Sequence, residues 1–119
     1  MIDESVLEEI AAMSPGAGSH LLAEVVAAFR EDTPKALDAL TKAARNADAT
    51  QVRDLAHRLK SSFANVGAIE ASRRCAVMCT EAGLAGAVAS VQCLCDDFGA
   101  LERALLDYLA RRSARAAAD

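Results

Sequence analysis

The chain has 119 residues, of which 53% are hydrophobic and 25% charged, a composition that supports one packed domain and excludes wholesale disorder. Its formal net charge of −4 argues against binding to nucleic acid through charge, because phosphate backbones select basic surfaces. No apolar run approaches the roughly 20 residues that cross a bilayer, and the acidic start lacks the layout of a signal peptide. The sequence therefore predicts one cytoplasmic domain over residues 1–119, with no membrane partner.

Apolar residues recur at helical spacing through most of the chain, and Ala, Leu and Val dominate them. Five helices are predicted in chain order, over residues 3–13, 19–45, 48–67, 68–82 and 86–112, and residues 14–18 form a flexible connection. The first helix is capped either by Asp3 or by a capping box of Ser5 and Glu8. Asp48 and Gln51 have capping-box spacing at the start of the third helix.

The predicted fold class is all-α. Four amphipathic helices with short connections pack as an antiparallel four-helix bundle, and the short first helix caps one end. Pro34 is a shape-determining residue that bends the second helix or restarts it after Asp32, because proline lacks the backbone donor. Gly67 follows a helix end, where glycine accepts a left-handed conformation at low cost. Residues 113–119 are predicted to be a frayed tail.

Four cysteines raise the question of metal binding: Cys75, Cys79, Cys93 and Cys95. Without a secretory signal a disulfide framework is not expected. A helix places Cys75 and Cys79 on one face but separates Cys93 from Cys95 by about 200°. Reduced, partly buried thiols and no metal are therefore predicted, and a thiol-dependent zinc module stays an alternative.

The third predicted helix presents an outward histidine. His57 lies about 160° from the middle of the apolar stripe, which consists of Val52, Leu55, Leu59, Phe63 and Val66. Ser61 and Ala64 are small and leave the imidazole open, and Lys60 is close enough to neutralise an added anion. Arg53 and Asp54 share this outward face. The pattern alone does not decide between a functional histidine and an idle one.

Other roles for this histidine are disfavoured. Position 61 holds neither a second histidine nor a carboxylate, so a metal pair at helical spacing is absent. Neither Ser61 nor Ser62 lies in an elbow motif, and no buried acid is evident to orient His57 as a hydrolase would require. His20 is predicted to be an exposed residue at the start of the second helix.

The segment that contains His57 resembles a known signature. Residues 56–68 read AHRLKSSFANVGA, which is similar to the approximate H-x-L-K-G-S-x-x-x-L-G-A pattern of histidine-containing phosphotransfer (HPt) domains. The acidic start at residues 3–4, the segment 29–34 and Cys75 also resemble family features. Ser61 departs from the pattern, since the family most often has glycine there, and small size is the shared property.

The resemblance implies that His57 is the phosphorylation site of a multistep phosphorelay. Such domains accept a phosphoryl group from an aspartyl phosphate on a receiver domain and pass it to another receiver, without kinase activity of their own. Lys60 would stabilise the charge of the phosphoryl group. The implied partners are receiver domains of response regulators and of a hybrid sensor kinase. The receiver would supply Mg²⁺, while this chain binds no cofactor and is expected to be a monomer.

A receiver that reaches His57 must cover the surface around it. The predicted docking surface contains Arg53, Asp54, Ser61 and Ala64 on the third helix, with exposed residues of the second helix around Phe29 and Thr33. Two roles stay open for Asn65: it is either a surface residue without function or a contact to the phosphate or the partner. A non-catalytic adaptor that binds receivers without accepting phosphate is the alternative function. The early Met1 favours a free-standing protein over an excised piece of a hybrid kinase.

Overall fold

The structure, a computed structural model, describes residues 1–13 and 18–118, and this part of the chain is helical with no strand. Six helices follow one another along the chain: α1 (Glu4–Ala12), α2 (Gly18–Arg45), α3 (Ala49–Asn65), α4 (Ile69–Met78), α5 (Glu81–Ala85) and α6 (Ala87–Ala118). Most of the predicted connection at 14–18 lies outside the described residues. None of the described helices combines the length and apolar character needed to cross a membrane.

Local capping sets the starts of α1 and α3. The Asp3 carboxylate accepts a hydrogen bond from the Ser5 backbone N–H at 3.1 Å, so Asp3 is the cap of α1. Asp48 accepts from the backbone N–H of Gln51 at 3.2 Å at the start of α3. Each cap satisfies a backbone donor that has no partner within its own helix.

Helices α2, α3, α4 and α6 form an antiparallel bundle around one apolar core. The order of the contacts between α2 and α6 shows that these two helices run in opposite directions. Arg30 of α2 pairs with Glu102 of α6, whereas Thr41, farther along α2, contacts Cys95, which lies earlier in α6. Short connections reverse the chain between α2 and α3 and between α3 and α4. The all-α bundle predicted from the sequence is confirmed.

Helix α1 lies across one end of this bundle. Its Leu7 is fully buried in the core, and the backbone N–H of Asp3 donates to the carbonyl of Gly67 at 2.8 Å. Glu4 pairs with Arg111 of α6 at 2.7 Å. The short first helix therefore caps the end where α3 finishes and where α6 passes.

The structure decides two helix boundaries that the sequence left open or placed differently. Helix α2 runs through Pro34 without restarting, because Thr33 and Leu37 beside it are buried and their packing holds the backbone in place. The predicted fourth helix is broken at Thr80, whose hydroxyl donates to the Val77 carbonyl at 2.7 Å and accepts from the Gly83 N–H at 3.0 Å. The hydroxyl thus ends α4 and begins α5.

The predicted frayed tail at 113–119 is wrong for most of its length, since α6 continues to Ala118. Residues 114–118 include four alanines, the strongest helix formers. The guanidinium of Arg115 also lies 3.7 Å from the Glu8 carboxylate of α1. Intrinsic propensity and a contact with the first helix both favour this extension.

Candidate functional site

Helix α3 is anchored along one face and at both ends. Its buried side chains are Val52, Leu55, Ala56, Leu59 and Phe63. At its end Gly67 has a φ of +78°, its N–H donates to the Ala64 carbonyl, and the N–H of Ala68 donates to the Phe63 carbonyl. These two bonds form a Schellman motif, which is why a glycine is needed there. A side chain carried opposite the buried face is therefore presented on a rigid support.

His57 is exposed on that opposite face, as its position in the apolar period predicted. Within the part of the chain that the structure describes, its imidazole has no hydrogen bond or ion pair. Ser62 is not a partner for it, because the Ser62 hydroxyl donates to the Arg58 carbonyl at 3.2 Å. An exposed imidazole without a hydrogen-bond partner presents a ring nitrogen that can act as a nucleophile.

The predicted neighbours of His57 surround it on α3. Arg53, Asp54, Lys60 and Ser61 are exposed. Residues three and four positions apart lie beside one another on a helix, and side chains lean towards its N-terminus. Lys60, three positions after His57, is therefore its neighbour on the helix surface.

Two predicted neighbours of His57, Ala64 and Asn65, lie farther along α3. Ala64 is half-buried and Asn65 is exposed. Ala64, which lies two turns after His57, ends at its methyl group, so its own side chain does not cover the imidazole.

Helix α4 holds the backbone of α3 on either side of His57, a feature that the sequence did not reveal. The Ser72 hydroxyl donates to the Lys60 carbonyl at 2.9 Å. The half-buried Cys79 thiol lies 3.9 Å from the Arg53 carbonyl, with the Cys75 carbonyl nearer at 3.4 Å. These contacts cross 12 and 26 residues of sequence, so no local pattern could have indicated them.

Two residues of the predicted docking surface are not surface residues. Phe29 is 5% exposed, and its ring packs edge-on against Phe63 with centroids 5.7 Å apart and against Phe98 at 5.5 Å. Thr33 is 2% exposed. Both follow the apolar period of α2, which turns them towards the core. Their inclusion as exposed contacts was wrong.

A groove runs between α2 and α3 beside the His57 face. Its larger part has a volume of about 440 Å³ and a floor that includes Leu55 and Leu59, with Asp32, Lys35 and Arg58 among its polar lining residues. A smaller part of about 210 Å³ adjoins it and is lined by Phe29, Thr33, Ala28 and Asn65, among others. Small side chains such as Ala36 and Ala39 keep the larger part open. Phe29 and Thr33 therefore contribute to the walls of a groove rather than to an outer surface.

The four cysteines are divided between α4 and α6. Burial raises the pKa of the Cys75 thiol to about 12, and the neighbouring Cys79 adds to the rise. Cys93 and Cys95 are exposed. Over residues 1–13 and 18–118, no group of three or more His, Cys, Asp or Glu side chains is placed to hold a metal ion. The zinc alternative thus finds no ligand set in this part of the chain.

The described residues thus form an all-helical bundle with an exposed histidine on a rigid helix, and comparison with known proteins identifies the family. The family model described as "Hpt domain" matches residues 24–114, so the chain belongs to the Hpt domain family. It is a histidine phosphotransfer protein of phosphorelay signalling. The match begins within α2 and leaves α1 outside.

A solved structure has the same fold. The crystal structure of histidine-containing phosphotransfer protein B (HptB) from Pseudomonas aeruginosa PAO1 is similar with a TM-score of 0.78. The alignment covers 92% of this chain and 95% of that one, at 21% sequence identity. No curated protein matches the chain.

Proposed function

We propose that His57 is the residue that carries the phosphoryl group, received from an aspartyl phosphate of one receiver domain and delivered to an aspartate of another. A ring nitrogen attacks phosphorus, a nitrogen–phosphorus bond forms, and the bond between phosphorus and the aspartate oxygen breaks to release a carboxylate. Transfer to the second receiver reverses these steps. The exposed imidazole, with no side-chain partner among the described residues, is the observation that supports this role.

Lys60 stabilises the negative charge that the phosphoryl group brings to His57. Lys60 lies one turn after His57 on the exposed side of α3, and no carboxylate pairs with it among the described residues. Phosphoryl transfer depends on alignment and on neutralised charge more than on covalent help from the protein. The receiver contributes its aspartate and Mg²⁺, and this chain binds no cofactor of its own.

The chain is a carrier without kinase activity. Its cytoplasmic location and its monomeric state remain predictions from the sequence.

Its docking surface comprises the outward face of α3, namely Arg53, Asp54, Ser61, Ala64 and Asn65. On α2 the exposed Ala28 and Asp32, which line the groove, replace Phe29 and Thr33. The short side chains of Ser61 and Ala64 allow a receiver to approach the imidazole.

The decisive experiment compares phosphotransfer from a phosphorylated receiver domain to the wild-type chain and to His57→Gln. We expect acid-labile, base-stable label on the wild type and none on the variant. His20→Gln is the matched control, because the chain has only two histidines and His20 is also exposed on a helix. Label that persists in His57→Gln would contradict the proposal. Receivers that bind without transferring to the wild type would establish the adaptor alternative instead.

A further inference from the structure

A hydroxyl group of α4 is bonded to the backbone of the turn that carries His57. The Ser72 hydroxyl donates to the Lys60 carbonyl at 2.9 Å. In an α-helix each carbonyl accepts the N–H of the residue four positions later, so within α3 the Lys60 carbonyl also accepts from Ala64. The second donor comes from a different helix, 12 residues farther along the chain. The turn from His57 to Lys60 is therefore fastened to α4 at its last residue.

The Ser72 hydroxyl is itself held in place by the backbone around it. The N–H of Ser72 donates to the Ala68 carbonyl at 3.0 Å, and the N–H of Ala68 donates to the Phe63 carbonyl of α3 at 2.9 Å. Ala68 and Phe63 are both buried. Together with the bond from the hydroxyl to Lys60, these bonds close a ring between the end of α3 and the first turn of α4. Ser72 therefore holds the Lys60 backbone from a fixed base.

A weaker contact between α4 and α3 lies one turn before His57. The Arg53 carbonyl, which is the helical acceptor of the His57 N–H, lies 3.9 Å from the Cys79 thiol. That thiol has a nearer acceptor in the Cys75 carbonyl at 3.4 Å, so it holds α3 less firmly than the hydroxyl does. Helix α4 thus contacts the α3 backbone on both sides of His57, and the firmer contact is the one at Lys60.

We propose that Ser72 is a positioning residue for phosphoryl transfer, which holds the Lys60 backbone so that Lys60 stays beside the phosphoryl group on His57. This inference rests on the proposed function and adds to it a residue of a second helix. Phosphoryl transfer depends on the alignment of the reacting groups and on nearby positive charge, so a displaced cation slows it. Ser72 is half-buried, and water can replace its hydroxyl at the carbonyl. Loss of the hydroxyl should therefore affect the transfer rate more than the stability.

The test measures single-turnover transfer from a phosphorylated receiver domain over a range of receiver concentrations, which separates the maximal rate from the half-saturating concentration. Ser72→Ala should lower the maximal rate about three- to tenfold and leave the half-saturating concentration unchanged. Ser72→Thr keeps a hydroxyl and should restore most of the rate. Ser72→Cys has a weaker donor and should fall between the two.

Thr41→Val is the matched control. Thr41 is also half-buried, and its hydroxyl donates to a helix carbonyl, that of Leu37, at 2.8 Å. Both residues belong to α2 and neither is part of the site, so the maximal rate should stay at the wild-type value. Thermal unfolding is measured first, and Ser72→Ala should be folded at the assay temperature because alanine is the stronger helix former.

A double variant separates positioning from a purely structural role. If Ser72 acts through Lys60, Ser72→Ala should slow transfer no further once Lys60→Ala is present. Multiplied effects of the two substitutions would overturn the inference. Equal maximal rates for Ser72→Ala and Thr41→Val, or a change in the half-saturating concentration alone, would overturn it as well. Absence of transfer to the wild-type chain would instead overturn the proposed function, and this inference with it.

Discussion

Two regions of this molecule use charge in opposite ways. At the bundle end covered by α1, Glu4 pairs with Arg111 at 2.7 Å and Glu8 pairs with Arg112 at 2.8 Å. On the outward face of α3, Arg53 and Lys60 are exposed and have no ion pair among the described residues. Carboxylates from a different helix satisfy the first set, while the second set remains open to solvent. Paired charge thus fastens helices together, and unpaired charge is available for a partner.

The α1 end also has a buried tyrosine, Tyr108, whose hydroxyl contacts the half-exposed Glu8 of α1. The Tyr108 hydroxyl donates to the Glu8 carboxylate, and the Arg111 guanidinium lies 5.8 Å from the centre of the Tyr108 ring. Burial raises the pKa of Tyr108, and the bond to Glu8 raises it further. These contacts restrict α1, whereas the His57 imidazole is held only by the helix that carries it. Structural and functional demands are therefore placed in separate parts of the bundle.

The largest expected effect is a loss of stability in Gly67→Ala, because this substitution disturbs the junction between the two regions. An added Cβ would lie 2.5 Å from the Asp3 carbonyl oxygen, and the φ of +78° disfavours any side chain. We expect a loss of at least about 2 kcal/mol in the free energy of unfolding, measured in urea. The folded variant should still accept phosphate on His57.

Gly99→Ala is the control for that substitution. Gly99 lies in α6 with open space around its Cβ position, so alanine there should raise stability by up to about 1 kcal/mol. Loss of phosphotransfer by fully folded Gly67→Ala would show that the α1 end and the α3 face are not independent.

A smaller effect is expected from Lys60→Ala, which removes an unpaired cation beside His57. Phosphotransfer should slow by about five- to tenfold, since a charge pair near 4 Å in water contributes about 1 kcal/mol. Thermal stability should stay unchanged, because Lys60 has no ion pair in the described part of the chain to lose. Lys60→Arg keeps the charge and should restore most of the rate. A Lys60→Ala variant with a lowered melting temperature and a normal transfer rate would contradict this, because Lys60 would then stabilise the fold rather than assist transfer.

The smallest effect should be the pH response of the α1 end. The hydrogen bond from Tyr108, with contributions from Arg112 and Arg115, holds the pKa of Glu8 below its ordinary value of 4.5. A lowered pKa in the folded state stabilises the fold above pH 4.5, and this stabilisation is lost as the pH falls through the folded-state pKa. Because Glu8 is about half exposed, screening limits the contribution to less than about 1 kcal/mol.

Urea unfolding of the wild type and of Glu8→Gln at pH 3 to 7 measures this contribution. The wild type should be the more stable of the two at pH 7, and the difference should shrink below about pH 4.5. Glu9→Gln is the control, because Glu9 is exposed on the same helix with no ion pair among the described residues. A difference between the wild type and Glu8→Gln that is independent of pH would exclude an electrostatic origin for the fastening of α1.

Local patterns were sufficient to predict much of the fold and the centre of the site. The 3.6-residue period identified the helices and turned His57 to the outside, and Asp48 marked the start of α3. The same period, applied consistently, would have placed Phe29 and Thr33 in the core, where they lie. Caps and amphipathic faces depend on residues within one or two turns, so they can be read along the chain.

Contacts between distant residues had to come from the folded chain. Ser72 bonds to the Lys60 backbone, Glu8 meets Tyr108 across 100 residues, and α6 extends past the predicted end to reach α1. Which charges are paired and which are left free also follows from these contacts. A helix period specifies which face is buried, but the partner against that face is chosen by packing the helices together, because the stabilising contacts join segments that are far apart in sequence.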